Sequence, residues 1–327
     1  MSVRRLAAVL LLAAGCASAA QDLDLDPGVR AVLTTTLRFS EADLSALRRG
    51  EIVKHGLPAR APGEIAVAGG VRIAAPKAAF FARVRDIARF KSGPDVLQIG
   101  RFSNPPVLED LAALTIDQDD FDVRSCRVGD CGVRLPAADI ERIARQIDPK
   151  ALDAQPRGAA LFKHILLERV KAHLAGADRA LQYDDGKKPI RPRVELEGIL
   201  AGMPEIGALM PPPSAETEQF LYWSKEKFGL APFVTVTQVT IACRSAATCL
   251  MTTRDVYSSR YLDASLALVI ATDAGTPDAF YLVYDNRSRA AALKGGLAGL
   301  RRLLAERRAR GAVEESLKTT KMLLEKD

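Results

Sequence analysis

The residues able to do chemistry in this chain are few and scattered. His55, His164 and His173 are the only histidines. Nine positions separate the last two, so they do not stack on adjacent helical turns as a ligand pair would. The sequence carries no Gly-x-Ser-x-Gly elbow, no His-Glu-x-x-His pair, no Walker loop and no dinucleotide glycine fingerprint. No nucleophile–base pair can be named, no catalytic residue, metal ligand or cofactor is assigned, and an enzyme reading lacks support at this level. The run Asp117-Gln-Asp-Asp-Phe-Asp122 could hold a cation or supply a general acid, and a solvated loop explains it equally well. Asp22, Asp24 and Asp26 suggest a calcium loop only loosely: the glycine is misplaced, and Leu33 stands where the bidentate glutamate belongs.

Cysteine spacing is more informative. Of five cysteines, Cys16 sits in an N-terminal export signal, and the other four form two close pairs, Cys126/Cys131 and Cys243/Cys249. An even number in an exported chain points to disulfides. Each bond would close a small loop and pin a local turn. A joint zinc site fits poorly, because four and five intervening residues are unsuitable spacings and oxidising surroundings favour the bridge.

The export signal is Arg4 and Arg5, then Leu6-Ala-Ala-Val-Leu-Leu-Leu-Ala-Ala14, then the small residues Gly15-Cys-Ala-Ser-Ala-Ala20. A basic head, a short apolar stretch and a small-residue exit describe a signal peptide over 1–20, and the stretch is far too short to span a bilayer. Cleavage after Ala19 or Ala20 would release a soluble periplasmic or secreted protein. Ala13-Ala-Gly15-Cys16 resembles a lipobox, which would instead leave a chain lipid-anchored through Cys16, although alanine replaces its usual leucine.

With 327 residues, 48% hydrophobic and 26% charged, the composition excludes a disordered chain, a collagen-like repeat and a polytopic membrane protein. The net charge of +6 is local. From 287 to 327 there are eleven Lys/Arg against five Asp/Glu, so the preceding residues sum to zero. A solvated helix face accounts for such a run, and attraction to anionic lipid headgroups is the functional alternative. Nucleic acid is not the expected partner, since the chain is read as exported and the basic run lacks interleaved aromatics.

These residues must be positioned by an α+β succession. Ser40-Glu-Ala-Asp43 predicts a capped helix to about Arg49. Strands are predicted over 52–57, 64–73 and 96–102, with Gly69-Gly70 suiting a bulge or bend, and a helix over 76–90. Further short strands are expected over 114–116 and 123–133. From about 136 to 228 the pattern reads as a mainly helical insertion that includes Phe220-Leu-Tyr-Trp-Ser-Lys-Glu-Lys-Phe228. Antiparallel strands return over 233–242, 250–258, 265–272 and 280–284, the last two apolar on both faces and so covered on both. Leu293, Leu297, Leu300 and Leu304 begin a helical stripe that Val313, Leu317 and Leu324 continue.

In the segments Ala66-Val-Ala-Gly-Gly-Val-Arg-Ile-Ala-Ala-Pro76 and Phe280-Tyr-Leu-Val-Tyr-Asp-Asn-Arg-Ser-Arg289, the latter leading into the Leu293 helix, the chain resembles the START-like helix-grip superfamily, the polyketide-cyclase and lipid-transfer group. The likeness covers about 50–135 and 230–310, and the 136–228 insertion departs from it. What it implies is one domain over 21–327. A curved antiparallel sheet would wrap a long C-terminal helix and leave a cavity for a hydrophobic small molecule or lipid. The implied ligand-binding candidates are Tyr257, Tyr261, Tyr284, Arg254 and Asp255 on the late strands, with Trp223 and Tyr222 as a lid. Arg254 and Asp255 are adjacent on a strand and point to opposite faces. A START-like cyclase or hydrolase is the enzymatic alternative, and a filled-core structural or interaction protein of the cell envelope is the third.

Overall fold

The computed structural model describes residues 25–209, 217–227, 231–295 and 298–326. The signal segment, Cys16, Asp22, Asp24 and Leu297 lie outside the described residues.

Asp26 caps α1 (Pro27–Ala31), which runs on as a π-helical turn over Val32–Thr36. The Ser40–Asp43 capping box opens α2 (Glu41–Arg48) as expected. The next elements are β1 (Val53–Leu57), β2 (Glu64–Ile73), α3 (Lys77–Arg85), α4 (Ile87–Phe90) and β3 (Val96–Arg101). Three helices, α5 (Ala137–Gln146), α6 (Ala154–Leu174) and α7 (Pro192–Leu200), precede the short α8 (Pro204–Leu209). The chain then makes β4 (Glu218–Glu226), β5 (Phe233–Cys243), β6 (Thr248–Ser258), β7 (Ala264–Asp273) and β8 (Phe280–Arg289), and closes on α9 (Ala298–Leu324).

All eight strands join one antiparallel sheet in the order β1-β2-β8-β7-β6-β5-β4-β3. The late strands form a meander whose last member pairs with β2. An α+β chain with this sheet and a C-terminal helix is compatible with a helix grip.

Helices cover both faces. The face carrying α9, termed inner, packs Val67, Val71, Phe220, Val239, Met251, Val269 and Leu282 against Val313, Leu317 and Leu324 of α9 and Phe80, Phe81 and Val84 of α3. The outer face has two cores. Leu250, Leu266, Leu268 and Val283 meet α1, α2, α7 and α8. Trp223, Val234, Val236 and Tyr257 meet α5, α6 and the 102–135 loop.

Three expectations are corrected. The aromatic stretch after the insertion is not helical but strand β4, because Phe220, Tyr222 and Ser224 alternate with Leu221, Trp223 and Lys225 between two covered faces. The segments 114–116 and 123–133 make no strands. They are loop that buries Leu114, Phe121, Val123 and Val133 side by side, with a single bridge between Arg127 and Asp130. Gly69-Gly70 makes no bulge either, since β2 pairs with β8 in unbroken register. Its role is close approach: a Cβ on Gly69 would lie 2.6 Å from Val313 and 3.0 Å from the Val53 carbonyl.

Both cysteine pairs are disulfide-bonded. Cys243 and Cys249 are register partners that close the β5–β6 hairpin. Cys126 and Cys131 clamp the turn at Arg127–Asp130.

Candidate functional site on the inner face of the sheet

Four strands, β4, β5, β6 and, through Tyr284, β8, and the residue after α4 bring a polar cluster onto an otherwise apolar surface. Strand alternation sends Tyr222, Ser224 and Glu226 of β4 inward, beside Thr235 and Thr237 of β5. On β6, Asp255 pairs with Thr237 but Tyr257 pairs with Val236, so Val256 is an extra, bulged residue. The bulge breaks the alternation: Asp255 faces inward and Tyr257, two residues on, faces outward. Lys91, the residue after α4, reaches over the cluster.

The contacts are dense. The Lys91 ammonium donates to the Glu226 carboxylate and lies 5.3 Å from the centre of the Tyr222 ring. Ser224 Oγ donates to Glu226 Oε1 at 2.5 Å and shares a 3.0 Å hydrogen bond with Thr235 Oγ1. Thr237 Oγ1 donates to Asp255 Oδ1 at 3.1 Å. Tyr222 is hydrogen-bonded to Thr237, and Tyr284 to Asn286.

Burial and charge retune these groups. Burial lifts the Asp255 carboxyl from 3.8 to about 7, against the nearby Lys91 charge and the Thr237 hydrogen bond. Burial also raises both phenols, Tyr284 to about 12. On Lys91 burial acts downward, but Tyr222, Glu226 and Asp255 outweigh it and hold the ammonium above its ordinary value. At neutral pH the cluster therefore offers a fixed cation, two protonated phenols and a carboxyl that can give or take a proton.

Tyr284, Asp255, Thr253, Asn286 and Ser288 remain half-exposed. The reason is the placement of α9, which rests mainly on β2 and β1. Its side chains toward the sheet in the first half are the small Ala305 and Ala309. A shallow groove thus runs over β8 and β6 between α9 and Lys91, lined by the part-exposed Tyr284, Asn286, Ser288, Thr253 and Asp255, while Met251, Val269 and Leu282 lie buried beneath α9 and α3.

No known family, curated protein or solved structure matches this chain. The site must therefore be judged on its own geometry.

Of the seven ligand-binding candidates, Tyr222, Tyr284 and Asp255 meet in this cluster, and Arg254 faces the other way as expected. There its guanidinium donates to His173 Nε2 at 3.0 Å and to Gln238 Oε1 at 2.9 Å, while His173 Nδ1 lies 2.7 Å from Asp178. That histidine is a buried, fully engaged packing residue. Trp223 and Tyr257 are on the outer face, the indole donating to the Asp110 carbonyl at 2.8 Å and the phenol to the Arg134 carbonyl at 3.1 Å. Trp223 is therefore strand core and no lid. Tyr261 sits in the β6–β7 turn at φ 65°, exposed, its hydroxyl donating to the Ala231 carbonyl at 3.1 Å.

The acidic run also finds an ordinary use. Asp117 and Asp120 hold the buried Lys225 ammonium at 3.2 and 2.5 Å. Among the described residues no group of three or more His, Cys, Asp or Glu could hold a metal ion. Beside the bulge, Tyr183, Pro192, Val256, Tyr257 and Leu262 enclose a cavity of about 10 Å³. That is room for about one water, and the Tyr183 hydroxyl on its wall has no protein partner.

Lys91, Glu226 and Thr237 are site residues that sequence reasoning missed. Lys91 begins a polar Lys-Ser-Gly-Pro turn and reads as surface. Only strand register reveals its partners.

Proposed function

We propose that this chain is an exported binding protein of the helix-grip type. It holds an amphipathic small molecule or lipid in the inner-face groove. The apolar part of the ligand lies against α9 near Ala305 and Ala309, and its polar end meets Lys91, Asp255 and Tyr284. The observation that carries this reading is a polar cluster set into an apolar, helix-flanked sheet face, with Lys91, Asp255 and Tyr284 part-exposed over the buried Tyr222, Ser224, Glu226, Thr235 and Thr237, where a filled core would place only apolar side chains. The two disulfides are consistent with a periplasmic or extracellular location. Among the described residues no helix is long and apolar enough to cross a membrane.

The test is native mass spectrometry of the full chain purified from an exporting host, followed by titration with 11-dansylamino-undecanoic acid. A co-purifying small molecule, or probe binding weakened by Asp255→Asn and Tyr284→Ala, supports the carrier. A clean protein that binds the probe no better than its two variants do overturns it.

A second reading is favoured by one observation. The Asp255 carboxyl titrates near neutrality beside the Tyr222 phenol and the Lys91 ammonium, which suits acid–base chemistry on a bound molecule. Turnover of the co-purified compound by the native chain and not by Asp255→Asn would establish an enzyme on the same groove.

A further inference from the structure

We propose that the first half of α9 is a docking surface for an anionic lipid bilayer. Leucines at 3.6-residue spacing normally bury themselves, and the stripe through Leu300 and Leu304 was expected to face the sheet. It faces solvent. Leu300, Leu303 and Leu304 are 65%, 59% and 54% exposed, whereas Val313, Leu317 and Leu324 farther along the same helix are at most 5% exposed. The helix turns a different side to the sheet, led by Ala305 and Ala309 and then by Val313 and Leu317.

The charge around these leucines identifies the occupant. Between 298 and 310 there are five arginines and one glutamate. Arg302 is paired with that glutamate, Glu306, at 2.7 Å. Arg301, Arg307 and Arg308 are exposed and flank the leucines on the outward side. Leu97, Leu152 and Leu174 are also exposed, but singly, which is ordinary for a protein surface. Three leucines on adjacent turns bordered by arginines form a different pattern. It is the amphipathic arrangement of a helix that lies flat in the headgroup region, its apolar side chains below and its cations at the phosphates. A protein partner of any charge could cover leucines. The surplus of arginine selects an anionic surface. This inference stands whether or not the groove binds a ligand.

The experiment is flotation of the full chain with vesicles of phosphatidylcholine alone and with 30% phosphatidylglycerol, at low and high salt, alongside light scattering in solution. Binding is expected on the anionic vesicles only and is lost in high salt. Leu300→Ser/Leu303→Ser/Leu304→Ser should lower partitioning more than tenfold. Arg301→Gln/Arg307→Gln/Arg308→Gln should lower it about a hundredfold on anionic vesicles, each arginine near such a surface contributing about fivefold. All these side chains are exposed, so circular dichroism and melting should match the native chain. Equal binding by either triple variant, no flotation of the native chain, or a dimer that the leucine variant dissociates would overturn the proposal.

Discussion

Replacing Asp255 by asparagine removes the most strongly displaced carboxyl of the inner cluster while keeping its shape. In the unfolded chain this group titrates at 3.8, and in the fold at about 7, chiefly because burial disfavours the charge. Between those two values the folded protein holds a proton that the unfolded chain has released. Stability must therefore fall as pH rises through that window and level off above about 7. A rise of about three pH units at about 1.4 kcal/mol each gives about 4 kcal/mol as an upper value. Relaxation and water entry on ionisation reduce it to about 2 kcal/mol. Asparagine cannot ionise, and its carbonyl oxygen can still accept from the Thr237 hydroxyl. The variant should match the native chain at pH 4 and exceed it by about 2–4 kcal/mol at pH 8. Urea unfolding followed by circular dichroism at pH 4, 6 and 8 would show the gap as a midpoint difference of about 1 M at the highest pH. Other raised carboxyls, such as Asp285 at about 6, are present in both proteins and cancel in the comparison. A difference that stays constant from pH 4 to 8 would show that Asp255 is not desolvated, and the cluster as described would be refuted.

Three further perturbations test the frame around the site. Arg287 is 1% exposed and lies 3.7 Å from Glu64 and 3.3 Å from Asp285; Glu64 keeps Arg289 at 3.1 Å, so Arg287→Met strands the buried Asp285 carboxyl and should cost about 3–5 kcal/mol. Urea midpoints would show it, and a loss below about 1 kcal/mol would contradict the network. Gly69→Ala should cost about 1–3 kcal/mol by driving a methyl into Val313, and adding Val313→Ala should recover part of that loss. Strict additivity in the thermal melts of the single and double variants would mean that α9 does not rest there. Reducing the two disulfides, whose cysteines are five and six positions apart, should remove about 2 kcal/mol each and lower the melting temperature by several degrees without unfolding the chain. Melting unchanged by reductant would count against the bridges.

Local chemistry was legible wherever one signal had no rival. Ser40 and Asp43 made their helix start readable, and the Val-, Ile- and Thr-rich runs located the four late strands to within a few residues at most ends. The site was half legible. Tyr222 and Tyr284 could be named as candidates because large amphipathic rings are natural cavity residues. Lys91 and Glu226 could not, because the feature that distinguishes them is mutual proximity across 135 positions of chain. Tyr257 was misplaced for a specific reason: counting by twos puts it beside Asp255, and only the bulge at Val256, set by pairing with β5, moves it to the other face. The aromatic stretch of β4 failed differently. A strand buried on both faces has no alternation to display, so its composition resembles that of a buried helix.

The orientation of α9 shows where periodicity stops being informative. A leucine stripe establishes that a helix has two unlike sides and leaves open which side meets the protein. Here the partner surface decides. Gly69 presents no side chain on β2, so the helix can approach closely through Val313 and Leu317, and two polar anchors at its edge fix the rotation further. The Lys321 ammonium donates to the Arg72 carbonyl at 2.7 Å, and Lys54 pairs with Glu314. Once the second half of a continuous helix is locked in this way, the phase of the first half is no longer free: Ala305 and Ala309 must turn inward, and Leu300, Leu303 and Leu304 must turn out. Shortening those two alanines' side of the groove is also what leaves Tyr284 and Asn286 half-exposed rather than covered. One helix rotation therefore opens the groove and exposes the leucine–arginine face together. Exchanging Ala305 for leucine should consequently fill the groove and weaken probe binding while leaving vesicle flotation intact. Loss of both activities in that variant would mean that the two surfaces are not separated by α9 as described.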